Sequence, residues 1–324
     1  MANSKLHLFQ PFQSVDTVQK LLKTSYQQQG LEGSELKSYN NTYGFIYYIE
    51  HGLTYLNQAD DSPVSIKPVL LFYGMVQLLK ACLLTVDPLY PESTAVLAHG
   101  VSARKRKKQS YEFFQDEVKV QRNGLFSHIS DKMFHVKQME GTKFSMKDLL
   151  YSVPELASTI KITKNKAPFL KVGLASDRHI HIPYTILDDY KMTKERFVQY
   201  FQSKALFQFE TEDDTAQLFT FSGTQNNHSL SYSPLFYEKT TQLLYIPRDK
   251  SRFQYFPEVL VHYLLLYNLS MICRYETEWW GELLHTFSSS DLSLITEFLN
   301  LTTEKTTYYL YNFLLKAFGL EDRE

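Results

Sequence analysis

Apolar residues outline this chain before any single motif does. They recur at Val15, Val18, Leu21 and Leu22, behind Ser14 and ahead of Gly30. Spacing of three and four makes one apolar face of a helix over 14–29. Ser14 is placed to accept from its first free amides and Gly30 to end it. A second helix is predicted over 42–58, TYGFIYYIEHGLTYLNQ. A third starts after Pro68 and runs to about Thr85. Its segment PVLLFYGMVQLLKACLLTV is apolar almost all round, which places it at the centre of a bundle. Gln77 and Lys80 interrupt that run, so it reads as a buried helix rather than a membrane span.

Near residue 117 the period changes from that of a helix to two. EVKVQRNGLFSHI alternates and carries Asn123-Gly124, a hairpin signal. SMKDLLYSVPELASTI then reads as a helix that Ser145 can cap and Pro154 interrupts or ends. FLKVGLASDRHIHIPYT alternates again. A helix over 193–203 precedes three strand candidates, ALFQFE, AQLFTFS and QLLYIP. From Pro257 helices return, over 257–274, through ETEWWGELLHTF, and over 291–317 before Gly319. The expected fold class is α+β. A helical bundle built from N- and C-terminal helices surrounds a β-containing, mostly antiparallel middle region. The expected parts are 1–116, 117–255 and 256–324, the last packing on the first. Two separate helical units would leave 69–86 and 259–273, the least polar segments, with less to bury against.

Composition narrows the class further. The chain has 324 residues, 44% apolar and 21% charged, which suits a globular protein with a sizeable core. Cys82 and Cys273 lie in apolar stretches and read as buried free thiols of a reducing cytoplasm, not as a disulfide. MANSKLHLFQPF lacks the apolar core of a signal peptide. No Walker A, GxGxxG, GxSxG, HExxH or zinc spacing occurs, so no cofactor and no metal are expected. The net charge of −1 is unevenly spread. Residues 101–171 hold 15 Lys/Arg against 7 Asp/Glu, leaving 19 basic and 28 acidic residues elsewhere. That asymmetry points to a basic face with an anionic partner.

Several landmarks carry a family resemblance. SIKPVLLFYGMVQLLKACLLTVDPLYPESTAVLAHGVSARKRKK, VQRNGLF, DLLYSVPEL and MICRYETEWW, in that order, resemble the YaaC-like proteins over nearly the full chain. Members of that family are often encoded beside the gene for IMP dehydrogenase. The resemblance therefore implies a role near purine nucleotide metabolism, with IMP dehydrogenase or a purine nucleotide as partner. LLFYGMVQLLKACLL, with the later HGV, is also similar to the central helix of the HEPN helical superfamily, many of whose members are metal-independent ribonucleases. Their Arg…His motif is matched by Arg122 and His128. That likeness implies an acid/base role for His128 and stabilisation of phosphorane charge by Arg122.

The remaining candidates are read from the residues. Arg104, Lys105, Arg106, Lys107 and Lys108 are five adjacent cations, either a solvated face relieved through Lys108–Glu112 or a phosphate-binding patch. His99, before Gly100, can point at a ligand beside them or pack at the end of a helical segment. Arg274 either pairs with Glu278 at helical spacing or reaches a pocket between the N- and C-terminal helices. His179 and His181 share one face of a strand with Asp177, a face explained by Ile180 and Ile182 pointing inward. Glu210–Asp214 reads as an exposed turn. The leading expectation is a non-catalytic binding or regulatory protein. It uses Arg104–Lys108 with His99 and Arg274 on a protein or nucleotide partner. Long nucleic acid is disfavoured by the slightly acidic chain. The alternative is a HEPN-like ribonuclease using Arg122 and His128.

Overall fold

A computed structural model of the chain describes residues 6–103, 112–176, 179–223, 234–286 and 289–320, with backbone only at 6 and 174–176. In chain order the helices are α1 (Val15–Gln28), α2 (Ser34–Asp60), α3 (Lys67–Val86), α4 (Leu125–Phe134), α5 (Met146–Leu150) and α6 (Ala157–Lys164). They continue as α7 (Thr185–Tyr190), α8 (Lys194–Lys204), α9 (Glu258–Tyr275), α10 (Thr277–Thr286) and α11 (Asp291–Ala317). The strands are β1 (Val101–Ala103), β2 (Glu117–Val120), β3 (Lys143–Ser145), β4 (Phe169–Ser176) and β5 (His179–Pro183). Then come β6 (Phe207–Asp213), β7 (Leu218–Gly223), β8 (Phe236–Glu238) and β9 (Leu243–Pro247). The fold is α+β, with helices at both ends of the chain and two antiparallel sheets between them.

The chain divides into two compact units, one of residues up to 147 together with 262 onward, the other of 148–261. Residues 117–147 fall in the first unit, together with the N- and C-terminal helices. In the first unit α3 is central. It packs on α2 and α11, and Cys82 Sγ lies 3.6 Å from the Leu310 carbonyl. Gly52 and Gly74 let α2 and α3 approach closely: a Cβ on Gly74 would stand 2.8 Å from Leu56. By length and composition α3 could cross a membrane, but it is mostly buried inside this unit. Ser14 caps α1 as its position foretold, accepting from the Thr17 amide. Both cysteines are free and buried.

The same unit holds the sheet β1-β2-β3, and here one expectation fails. Asn123-Gly124 does not turn a hairpin. Gly124 stands at the N-terminus of α4, and β2 pairs instead with β1 and β3. The turn signal is real, but the chain leaves it as a helix because Leu125 and Phe126 donate their amides to the carbonyls of Ala98 and His99, at 2.7 and 3.1 Å. Those tertiary bonds satisfy two amides that a helix start leaves open.

The second unit is a six-stranded antiparallel sheet in the order β6-β7-β5-β4-β9-β8. Along β5, Ile180 and Ile182 are buried while His179 and His181 lie on the other face, as a period of two requires. The buried face carries α8, whose Phe197 and Phe201 rings meet Phe219 and Phe221 at 5.2 and 4.4 Å. On the other face His179 Nε2 sits 3.2 Å from Glu210 Oε2 and His181 Nδ1 3.0 Å from Thr220 Oγ1. Glu210 thus belongs to β6, and the turn beyond it is held by Asp213, which accepts from the Thr215 and Ala216 amides. Asp177 lies outside the described residues. Among the described residues no three His, Cys, Asp or Glu side chains gather as a metal site requires.

Candidate functional site

The sequence candidates that the structure brings together are His99 and Arg274, both in the first unit. The chain leaves α3, passes a short 3₁₀ turn at Thr94–Leu97 and reaches His99-Gly100. Gly100 adopts φ +76, and a Cβ there would meet the backbone of Phe126 and Gly124. Two backbones therefore touch at this point, which fixes the His99 main chain. Its carbonyl also accepts from Tyr263 Oη on α9 at 2.8 Å. The imidazole is held by rings from α3 and α9: Phe72 at 5.0 Å, Tyr73 at 6.1 Å and Tyr267 at 5.8 Å, all edge to face.

Burial in this cage, with the nearby Arg274 and then Lys80 cations, pushes the His99 imidazole below its ordinary pKa. Both cations are half-buried. Burial also lowers the proton affinity of Lys80, whose ammonium lies 5.5 Å from the Tyr48 ring of α2. Tyr48 is itself pushed up by burial. Gln77, between Tyr73 and Lys80 on α3, has its Oε1 buried with no donor against it among the described residues. Tyr73, Gln77 and Lys80 are spaced four and three apart, so they form one half-buried polar stripe on an otherwise apolar helix. The stripe is visible in the sequence as two polar interruptions. What the sequence hides is that the Tyr73 ring meets His99, and that the Lys80 charge acts on the same imidazole.

Arg274 does not make the expected pair with Glu278. α9 ends at Tyr275 and α10 starts at Thr277, so the two residues do not share one helix, and Glu278 is exposed. Arg274 instead donates from Nε to the Ser270 carbonyl at 3.0 Å and lies over the Tyr275 ring at 5.2 Å. Its charge is then directed to His99 and Tyr267. Arg104, Lys105, Arg106, Lys107 and Lys108 lie outside the described residues.

A second cluster lies at the end of α3. Leu84 and Thr85 would leave their carbonyls open at the helix terminus, and α1 supplies the donors. Tyr26 Oη bonds the Leu84 carbonyl at 2.7 Å, and Gln29 the Thr85 carbonyl at 2.8 Å. Asn41 bonds Tyr26 Oη and the Pro88 carbonyl. Burial pushes the Tyr26 phenol up to about 12. These bonds fix Asp87, whose Oδ1 accepts from the Leu89 amide. Asp87 Oδ2 stands 2.7 Å from His128 Nε2 on α4, and the His128 ring packs on Tyr90 at 5.7 Å. Tyr90 Oη is buried with no partner among the described residues. Of the motif pair, His128 is thus built into the interior beside Asp87, while Arg122 is exposed in the turn before α4.

The lowered His99 value carries a sign. Its ordinary value is 6.5. Just below that, the unfolded chain takes up the proton while the folded one does not, so stability falls as pH drops through the window down to the folded value. His99→Gln is expected to flatten that part of the profile. Melting temperatures of both proteins from about pH 7.5 to about pH 5.5 test it, and parallel profiles would refute it.

Compared with known proteins, the chain matches one family model, described as YaaC-like Protein, over residues 10–314. No curated protein and no solved structure matches it.

Proposed function

The chain belongs to the YaaC-like family, and from that premise we propose that it is a non-catalytic, regulatory binding protein of the cytoplasm. Its partner is a purine nucleotide or IMP dehydrogenase. The observation that supports this is the company of His99: the rings of Phe72, Tyr73 and Tyr267 around it, and the charges of the half-buried Arg274 and Lys80 acting on it. Partly desolvated cations beside aromatic faces attract a flat, anionic ligand more strongly than exposed lysines do. Arg104–Lys108 adds a longer-range attraction for the same charge.

Capture of the tagged chain from its own lysate is expected to recover IMP dehydrogenase in stoichiometric amount, or calorimetry to detect a purine nucleotide. Neutralising Arg104, Arg106 and Lys108 together should weaken the association, most at low salt. Recovery of neither partner by either route ends this reading.

A second reading, a metal-independent ribonuclease using Arg122 and His128, draws support from the Asp87–His128 pair. A carboxylate on one imidazole nitrogen orients the ring. Purified protein would then cleave RNA without metal, and folded His128→Ala would not. Intact RNA after incubation with excess wild-type protein rules it out.

A further inference from the structure

α2 carries large apolar side chains on two opposite sides. One side, with Phe45, Ile46, Ile49, Leu53 and Leu56, is buried in the first unit. The other carries Leu36, Tyr39, Tyr43 and Tyr47, which are 53–66% exposed. Steps of three and four put them along one face of the helix, over about 16 Å at 1.5 Å per residue. The Tyr43 and Tyr47 rings lie 6.2 Å apart. A helix at the surface of a globular unit keeps its outer face polar. α2 does so further on, where the same face continues through the exposed Glu50, Thr54 and Asn57. Single exposed tyrosines are ordinary. Four large side chains in a row offer on the order of 400 Å², a patch of the size that marks an interaction site.

We propose that this stripe is the contact between two copies of the chain, with their α2 helices packed antiparallel about Tyr43. A two-fold contact needs a surface that complements itself. Tyr39 and Tyr47 stand four residues either side of Tyr43, and Leu36 and Glu50 stand seven. Antiparallel packing therefore sets Tyr43 at the axis, Tyr39 beside Tyr47 and Leu36 beside Glu50. The charges select that direction. Lys23 of α1 pairs with Glu35 at the Leu36 end of the stripe, and its side chain stays partly exposed. Antiparallel packing brings Glu50 of the other copy to that end, within reach of Lys23, and does so twice. Parallel packing sets Glu50 against Glu50. The area sets the strength. Two such stripes with their polar flanks reach only the low end of specific interfaces, about 1,200 Å² in total. The dimer is therefore weak and reversible, with a dissociation constant on the order of 10 µM. It does not depend on the function proposed above.

The test is sedimentation velocity on the full chain from about 1 to about 200 µM, a range that brackets the expected constant. Monomer is expected to give way to dimer and to nothing larger, because a two-fold contact closes on itself. Tyr43→Glu sets two carboxylates at the axis and should leave monomer throughout. Glu50→Lys should weaken the dimer about tenfold, since symmetry counts the change twice. Adding Lys23→Glu to Glu50→Lys should restore it. All three side chains lie at the surface, so each variant should melt within about 2 °C of the wild type. A wild-type monomer at every concentration overturns the proposal and leaves the stripe to a different protein. A dimer that survives Tyr43→Glu overturns it, because the contact then lies elsewhere. Species that keep growing beyond two copies overturn it. So does a double variant that associates no better than Glu50→Lys alone, since Lys23 and Glu50 then do not meet.

Discussion

Gly124→Ala is expected to unfold the first unit more readily than any other single-methyl addition at its glycines with positive φ. A Cβ on Gly124 would stand 2.3 Å from the Cα and 2.4 Å from the nitrogen of Gly100. Both are backbone atoms, so no side chain can swing aside. The φ of +132 is also one that residues with a Cβ rarely adopt. Relief requires the 98–100 and 124–126 backbones to part. That breaks the bonds from Leu125 to Ala98, from Phe126 to His99 and from Gln121 to Gly100, at 2.7, 3.1 and 2.9 Å. With each bond worth about 1 kcal/mol net and backbone strain of similar size, the loss is on the order of 4 kcal/mol, or a fall of roughly 10 °C in melting temperature. Gly141→Ala is the matched control. Its φ is +79, but nothing lies within 4 Å of the added carbon, so only the strain of about 1 kcal/mol remains. Equal losses in the two variants would show that the close approach carries no weight. Because the same contact holds the His99 main chain, Gly124→Ala should also weaken any ligand held at His99.

That contact explains where reading the sequence succeeds and where it stops. α3 is legible because it is apolar almost all round and needs a central place, and it has one. β5 is legible because its apolar residues alternate. Ser14, Thr193 and Pro154 mark real boundaries, since caps and proline act within a few residues of themselves. Asn123-Gly124 misleads because a glycine signals a special backbone and not its cause. The cause is Gly100, distant in sequence and adjacent in space. Arg274 and Glu278 mislead for a related reason: helical spacing pairs two residues only if one helix contains both, and α9 ends between them. For the site, His99 and Arg274 stand out as residues and Lys80 only as an interruption. Their convergence is set by the packing of α3, α9 and the loop after Thr94–Leu97, which no local pattern encodes. His128 stands out beside Arg122, yet its nearest charged partner is Asp87, which the sequence marks with nothing but a helix end.

Asp87→Ala is therefore expected to destabilise the protein more than His128→Ala. The Asp87 side chain is 5% exposed and His128 13%, so neither can exchange its partner for water without local opening. Removing Asp87 leaves the Leu89 amide and His128 Nε2 without an acceptor or partner, a cost of about 2–4 kcal/mol for breaking a buried charged bond from one side. Removing His128 leaves one carboxylate oxygen bare while the other keeps the Leu89 amide, and solvent reaches the vacated position more easily. If the two residues act as a pair, the double variant Asp87→Ala/His128→Ala should lose less than the sum of the singles, by about 1–3 kcal/mol. Denaturant melts of the four proteins measure it, and strict additivity would show that the 2.7 Å contact contributes nothing. The cycle also decides how a nuclease assay on His128→Ala is to be read. Activity lost in step with stability, and lost equally in Asp87→Ala, marks a structural pair. Activity lost in His128→Ala at a temperature where both singles remain folded, and retained in part by Asp87→Ala, marks an imidazole that touches the reacting phosphate.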